Sequence, residues 1–234
     1  VHKKDFSRDR KVSKAESISG FQSFWDFWAP IIFTLAIYIG IRNYIGEARY
    51  IPSGSMLPGL KVQDRLFIEK ITLRGRAPSR GEIVVFNSPY SFDPVLSASR
   101  AFSPLKCALL NFPLLTLVPG LSDASCDAYI KRVVAVAGDQ VFVNYKGEVI
   151  IDGKRESEPY VSRYCSANSY SMNGCRPLLG KVPEGHVLVL GDNRGNSWDG
   201  RFWPGGNFLP VDQIIGRAVW RFWPLSRLGP LHGF

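Results

Sequence analysis

The stretch Tyr129–Val136 reads YIKRVVAV. Its β-branched content and its length are those of a strand, and a period of two puts Tyr129, Lys131, Val133 and Ala135 on one face. Working outward, the same signature returns at Arg65–Ile71 (RLFIEKI), Glu82–Phe86 (EIVVF), Val141–Tyr145 (VFVNY), Val149–Ile151 (VII) and His186–Leu190 (HVLVL). Turns rich in Gly, Pro, Asn and Asp separate these runs. No long 3.6-residue periodicity and no internal repeat follow residue 50. The pattern predicts a mainly β fold built of antiparallel sheets.

Upstream the chemistry changes. Phe24–Ile41 reads FWDFWAPIIFTLAIYIGI, an apolar run broken only by Asp26 and Pro30. About 20 apolar residues cross a bilayer, so the run is just long enough for one transmembrane helix. Trp25, Trp28 and Tyr44 suit the two interfaces. Ahead of the run, Lys3, Lys4, Arg8, Arg10, Lys11 and Lys14 face only Asp5, Asp9 and Glu16. The positive-inside rule then predicts a cytoplasmic N-terminus and an exported remainder. The run is long for the apolar part of a signal peptide and lacks a clean small-x-small cleavage site after it, so an uncleaved anchor is expected.

The totals agree with this picture. With 45% hydrophobic and 13% aromatic residues the chain is a folding one. The formal charge of +9 comes from scattered lysines and arginines, with no arm, stripe or nucleic-acid motif, and it suits an anionic lipid surface. The four cysteines, Cys107, Cys126, Cys165 and Cys175, form no CxxC pair, which argues against zinc. They suit either two disulfides in an oxidising compartment or four free thiols. Cys107 and Cys126 bracket an apolar patch, Leu105–Val118, that either packs on a core or lies in the lipid interface. Cys165 and Cys175 suggest a bond closing a turn-rich loop. The aromatic cluster Trp220, Phe222 and Trp223 suits a core or a membrane surface.

Two segments carry chemistry. Tyr50–Pro58 reads YIPSGSMLP and follows the apolar run closely. Turn chemistry alone accounts for such residues. If Ser55 is a nucleophile, however, it needs a base. Of the three histidines, His2 and His232 lie near the chain ends, and only His186 could supply an imidazole. Neither HExxH nor a glycine-rich phosphate loop occurs, so no metal or cofactor is implied. Lys131 is the other candidate base. Lowering a lysine from ~10.4 to ~8 takes about 3 kcal/mol, which burial can supply. From the strand alone, a lysine snorkelling to water is the commoner case.

The combination of segments changes that balance. The chain resembles the bacterial type I signal peptidases, membrane-bound serine proteases that use a Ser-Lys dyad. The family pattern P-S-G-S-M-x-P stands here as Pro52–Pro58. D-x-x-x-x-E-K stands as Asp64–Lys70, followed by Arg80–Phe86 (RGEIVVF). Y-I-K-R stands as Tyr129–Arg132, followed by Gly138-Asp139. G-D-N-R-x-N-S-x-D-x-R stands as Gly191–Arg201. The chain departs from the pattern at Gly195, where an acid is usual, and at Gly200, where Ser is usual.

The resemblance implies a role for each site residue. Ser55 is the nucleophile and Lys131 the general base. Ser53 adds its hydroxyl to the Ser55 N–H as an oxyanion hole, and Ser197 hydrogen-bonds the Lys131 amine. Asp199 and Arg201 brace that loop, and Asp192 pairs with Arg132. It also implies an antiparallel β-sheet catalytic domain with an inserted smaller β/loop subdomain, preceded by one transmembrane helix. The expected divisions are a basic N-terminus (1–22), an anchor (23–45), a catalytic domain (46–137 and 186–234, with the apolar insert 87–128) and a non-catalytic insert (138–185). Preprotein signal peptides cut after small-x-small sites and membrane lipid are the implied partners, near the translocation machinery at the bacterial inner membrane. Nucleic acid is not among them. The rival reading is a non-catalytic anchored β-domain that binds exported chains. Another Ser-Lys protease, such as a conjugation pilin peptidase, is a further alternative.

Overall fold

A computed structural model describes residues 6–99, 103, 105–107, 126–165 and 175–231. Lys3, Lys4, His2, His232 and most of the apolar patch Leu105–Val118 lie outside them. The chain divides into two units, Val1–Ile45 and Gly46–Phe234.

In the first unit, helix α1 (Phe6–Gly40) starts well before the apolar run and ends in a wider π-type turn over Ile41–Ile45. Its part from Phe24 to Ile45 is long and apolar enough to cross a membrane, and its large side chains face outward.

The second unit is mainly antiparallel β, as the sequence pattern predicts. In chain order its strands are β1 (Gly46–Tyr50), β2 (Arg65–Glu69), β3 (Ile83–Phe86), β4 (Tyr129–Val136), β5 (Gln140–Val143), β6 (Val149–Ile151), β7 (Lys154–Arg155), β8 (Leu178–Lys181), β9 (His186–Leu190), β10 (Leu209–Pro210), β11 (Ile214–Trp223) and β12 (Gly229–Pro230). The larger sheet runs β1-β2-β11-β3-β4-β9-β10, with β12 on β11, and the smaller runs β7-β6-β5-β8. In β2, Leu66 and Ile68 are buried between exposed Arg65 and Phe67, the alternation of a sheet with one wet face. Strand β3 is buried along its whole length because it lies inside the sheet, between β11 and β4.

Three apolar clusters hold the unit together. Val134, Ala135, Leu188 and Leu190 of the large sheet pack against Val141, Val143 and Ile151 of the small one. Ile51, Met56 and Leu60, from the loop after β1, pack with Leu66, Ile68 and Ile130. Val84, Phe86, Val133, Val189 and Trp203 form the third. Each fully buried side chain of this size contributes about 1.5–3 kcal/mol.

Strand β4 departs from simple alternation. Val133 pairs with Val189, but Ala135 pairs with Leu188, a register shift that inserts one residue. The shift resets the pleat, so Ala135 joins Val134 in the inter-sheet cluster and leaves the face of Tyr129 and Val133. The expectation that Ala135 shares the face of Lys131 is therefore corrected. Strand β11 is the other surprise. Its end carries the aromatic cluster Trp220, Phe222 and Trp223, yet it is a ten-residue strand that joins β2 to β3. Its own register shifts against both neighbours blur the period of two. Trp220 and Trp223 on it are 42% and 48% exposed, so they are not core residues.

Candidate active site

The loop between β1 and β2 is closed at its base and weighted from within. The Ile51 N–H donates to the Asp64 carbonyl at 2.9 Å, and the Gln63 N–H to the Ile51 carbonyl at 2.8 Å. Met56 and Leu60 are sunk in the core. Buried Asp64 accepts from the Lys61 N–H at 2.8 Å and from Arg227 Nη1 at 2.9 Å. The tip of this loop carries Ser53 and Ser55. Ser55 is buried, and its Oγ lies 3.4 Å from the hydroxyl of exposed Ser53.

Lys131 comes to the same point from β4. Its Nζ donates to Ser55 Oγ at 2.7 Å and to the Ile130 carbonyl at 3.1 Å. The residue is only 3% exposed. Burial pushes the amine down from 10.5 to about 8, against opposing pulls from the Asp199 and Asp192 carboxylates. No carboxylate forms an ion pair with it among the described residues. An amine that is neutral near pH 8 and in contact with a hydroxyl can take that hydroxyl's proton. His186 has no such position. It opens β9, with Nδ1 2.9 Å from the Glu184 carbonyl and no hydrogen bond to Ser55.

The segment 191–201 wraps behind this pair. Arg132 Nε and Nη2 meet Asp192 Oδ1 and Oδ2 at 2.8 and 2.7 Å, a buried two-pronged pair. Asp199 accepts from Arg201 Nε and Nη2, both at 2.8 Å, and from the Gly191 N–H at 3.0 Å. Burial pushes the Asp199 carboxyl up, but Arg201 and the Gly191 N–H outweigh it and hold its pKa below the ordinary value. Arg201 in turn donates to the Arg194 carbonyl at 3.0 Å and lies 3.1 Å from Cys175 Sγ. That sulfur is bonded to Cys165, and the second bond joins Cys107 to Cys126.

Ser197 is the exception. It is buried, and Lys131 donates elsewhere; its hydroxyl faces the Asp199 carboxylate and helps hold that pKa down, without meeting ordinary hydrogen-bond geometry to any described residue. The expected Ser197–Lys131 hydrogen bond is therefore absent. The hydroxyl lies instead against the Gly191 backbone, where a Cβ would overlap it and also come within 2.6 Å of the Ser55 carbonyl. Only glycine fits at 191. Gly200, where the family pattern has Ser, is forced similarly: a Cβ there would lie 2.5 Å from the Asn207 carbonyl.

Three further residues contribute. Buried Arg194 and Glu158 form an ion pair that ties the segment after β7 to the 191–201 loop, with Arg194 Nη1 2.9 Å from Glu158 Oε2. Asn193 donates its backbone N–H to the Ser55 carbonyl at 3.0 Å and its Nδ2 to the Gly54 carbonyl at 3.1 Å. A signal for Asn193 existed, since it stands inside the quoted G-D-N-R pattern. Glu158 had none, because its partner is 36 residues away.

The family profile described as "Signal peptidase, peptidase S26" matches residues 24–223. The probable signal peptidase I-2 of Synechocystis is 37% identical over 95% of this chain and 84% of that protein. The signal peptidase I of Leptolyngbya laminosa is 39% identical over 85% of this chain and 79% of that protein. The thylakoidal processing peptidase 1 of Arabidopsis thaliana is 33% identical over 83% of this chain but 47% of that protein. With a profile match across both Ser55 and Lys131 and relatives aligned over most of its length, the chain belongs to the signal peptidase family of serine proteases, peptidase S26.

Proposed function

We propose that the protein removes N-terminal signal peptides from exported preproteins after small-x-small sites, with Ser55 as nucleophile and Lys131 as general base. The contact of 2.7 Å between Lys131 Nζ and Ser55 Oγ carries this reading. Neutral Lys131 takes the Ser55 proton as Oγ bonds to the scissile carbonyl carbon. The oxygen that becomes negative is held by the Ser55 N–H and the Ser53 hydroxyl. The resulting ammonium gives its proton to the departing amine, leaving an acyl-Ser55 ester. Water, losing a proton to Lys131, then cleaves the ester and restores Ser55.

The apolar helix anchors this machinery in the bacterial inner membrane, N-terminus inward, with residues 46–234 on the outer side near the translocation machinery. Substrates tethered by their own apolar segment then meet the site in two dimensions, which raises their effective concentration. The inserted strands β5–β8 support the 191–201 loop and take no part in chemistry. The test uses detergent-solubilised protein and a preprotein whose signal ends in Ala-x-Ala. Wild type cleaves it, while S55A and K131A do not. Preprotein left intact by the wild type would replace this reading with a non-catalytic one, and processing by either variant would move the chemistry to other residues.

A further inference from the structure

Asn193 has no role in the chemistry above, yet it grips the nucleophile loop twice. Its Nδ2 reaches the Gly54 carbonyl at 3.1 Å and its N–H the Ser55 carbonyl at 3.0 Å. The Gly54–Ser55 peptide bond is trans, and a trans peptide is planar, with its C=O and N–H pointing in opposite directions. Holding the Gly54 oxygen inward therefore turns the Ser55 N–H outward. Among the described residues that N–H donates to no backbone carbonyl. Glycine tolerates most backbone angles, so the peptide flanked by Gly54 could otherwise rotate. The Leu57 N–H also reaches the Gly54 oxygen, at 3.2 Å, but it moves with the same turn. Asn193 belongs to a separate segment braced by the Arg132–Asp192 pair beside it.

We infer that Asn193 is a positioning residue that locks the Gly54–Ser55 peptide so that the Ser55 N–H faces the developing oxyanion. This rests on the proposed Ser55 chemistry. Asn193 is 5% exposed and its Oδ1 has no partner among the described residues, so within the side chain only the amide nitrogen ties it to the loop. N193A removes that tie but keeps the backbone bond to Ser55. N193D keeps the shape and loses the donor.

The experiment compares wild type, N193A and N193D on a peptide with an ordinary scissile amide and on its thioamide analogue. Sulfur accepts hydrogen bonds poorly, so the thioamide already forgoes much of the oxyanion stabilisation. Loss of a whole oxyanion donor costs ~10²–10³-fold, so misaiming one should lower kcat on the amide by roughly 10–100-fold. KM and the pH midpoint should hold, and the thioamide rate should fall much less, narrowing the amide-to-thioamide ratio. Equal losses on both substrates, or wild-type kcat in N193A, would overturn the inference. If N193D unfolds, N193A and its melting temperature still decide. Failure of the wild type to cleave, or cleavage by S55A, would instead overturn the underlying reading.

Discussion

Lys131 and Arg132 are neighbours on one strand, both cationic and both buried, yet the fold treats their two faces of β4 in opposite ways. Arg132 receives a carboxylate in two-pronged geometry and a third acceptor, the Gly81 carbonyl at 2.7 Å. Lys131 receives a hydroxyl and a backbone carbonyl, both neutral. A carboxylate partner favours the charged form, whereas neutral partners leave burial to dominate. One face therefore pairs its cation for structure. The other holds an amine whose proton is loosely kept.

Four measurements sharpen or break this contrast. The largest effect is expected from K131R, which puts a permanently charged group where the proposed chemistry needs a neutral amine. Cleavage should fall at least ~10³-fold, and appreciable activity would mean the neutral form is not required. Next, D192N leaves Arg132 buried without its counter-charge. The stability of the folded unit, read from denaturant midpoints, should drop by about 3–5 kcal/mol.

The third concerns Lys131 as a burden on the fold. Its folded-state pKa of about 8 lies below 10.5, so between these values the unfolded chain binds more protons. Wild type therefore loses stability as pH falls from 10.5 towards 8. K131M, which cannot titrate, should gain on it by about 3 kcal/mol across that window, inactive but sturdier. A constant gap across pH would mean the amine is not held off its ordinary value. The fourth is the rate profile. Below pH 8 kcat/KM should rise about tenfold per unit and then flatten as Lys131 becomes neutral. A flat rate from pH 5 to 9 would contradict a lysine base.

Much of this was legible in the chain. Strands β4, β6 and β9 lie where their β-branched runs put them; β6 alternates, while β4 and β9 are buried almost throughout because cores pack on both their faces. The Ser55 and Lys131 segments were readable as motifs, and the Arg132–Asp192 pair followed from the same alignment of patterns. Strand β11 was not legible, since its register shifts remove the very alternation used to find strands. Ala135 was assigned to the wrong face for the same reason. Ser197 was given a bond to Lys131 that proximity in the motif could not guarantee.

By itself the sequence determined the alternating runs, the apolar anchor-length segment and the kinds of side chain available for catalysis. These are local properties, readable from spacing and residue type. Only the tertiary structure decided that Lys131 lies 76 residues from Ser55 in sequence but 2.7 Å from it in space. It alone paired Glu158 with Arg194 and set Asn193 against the Gly54 carbonyl. The reason is that burial and partner choice depend on which segments pack together, and no local pattern encodes that.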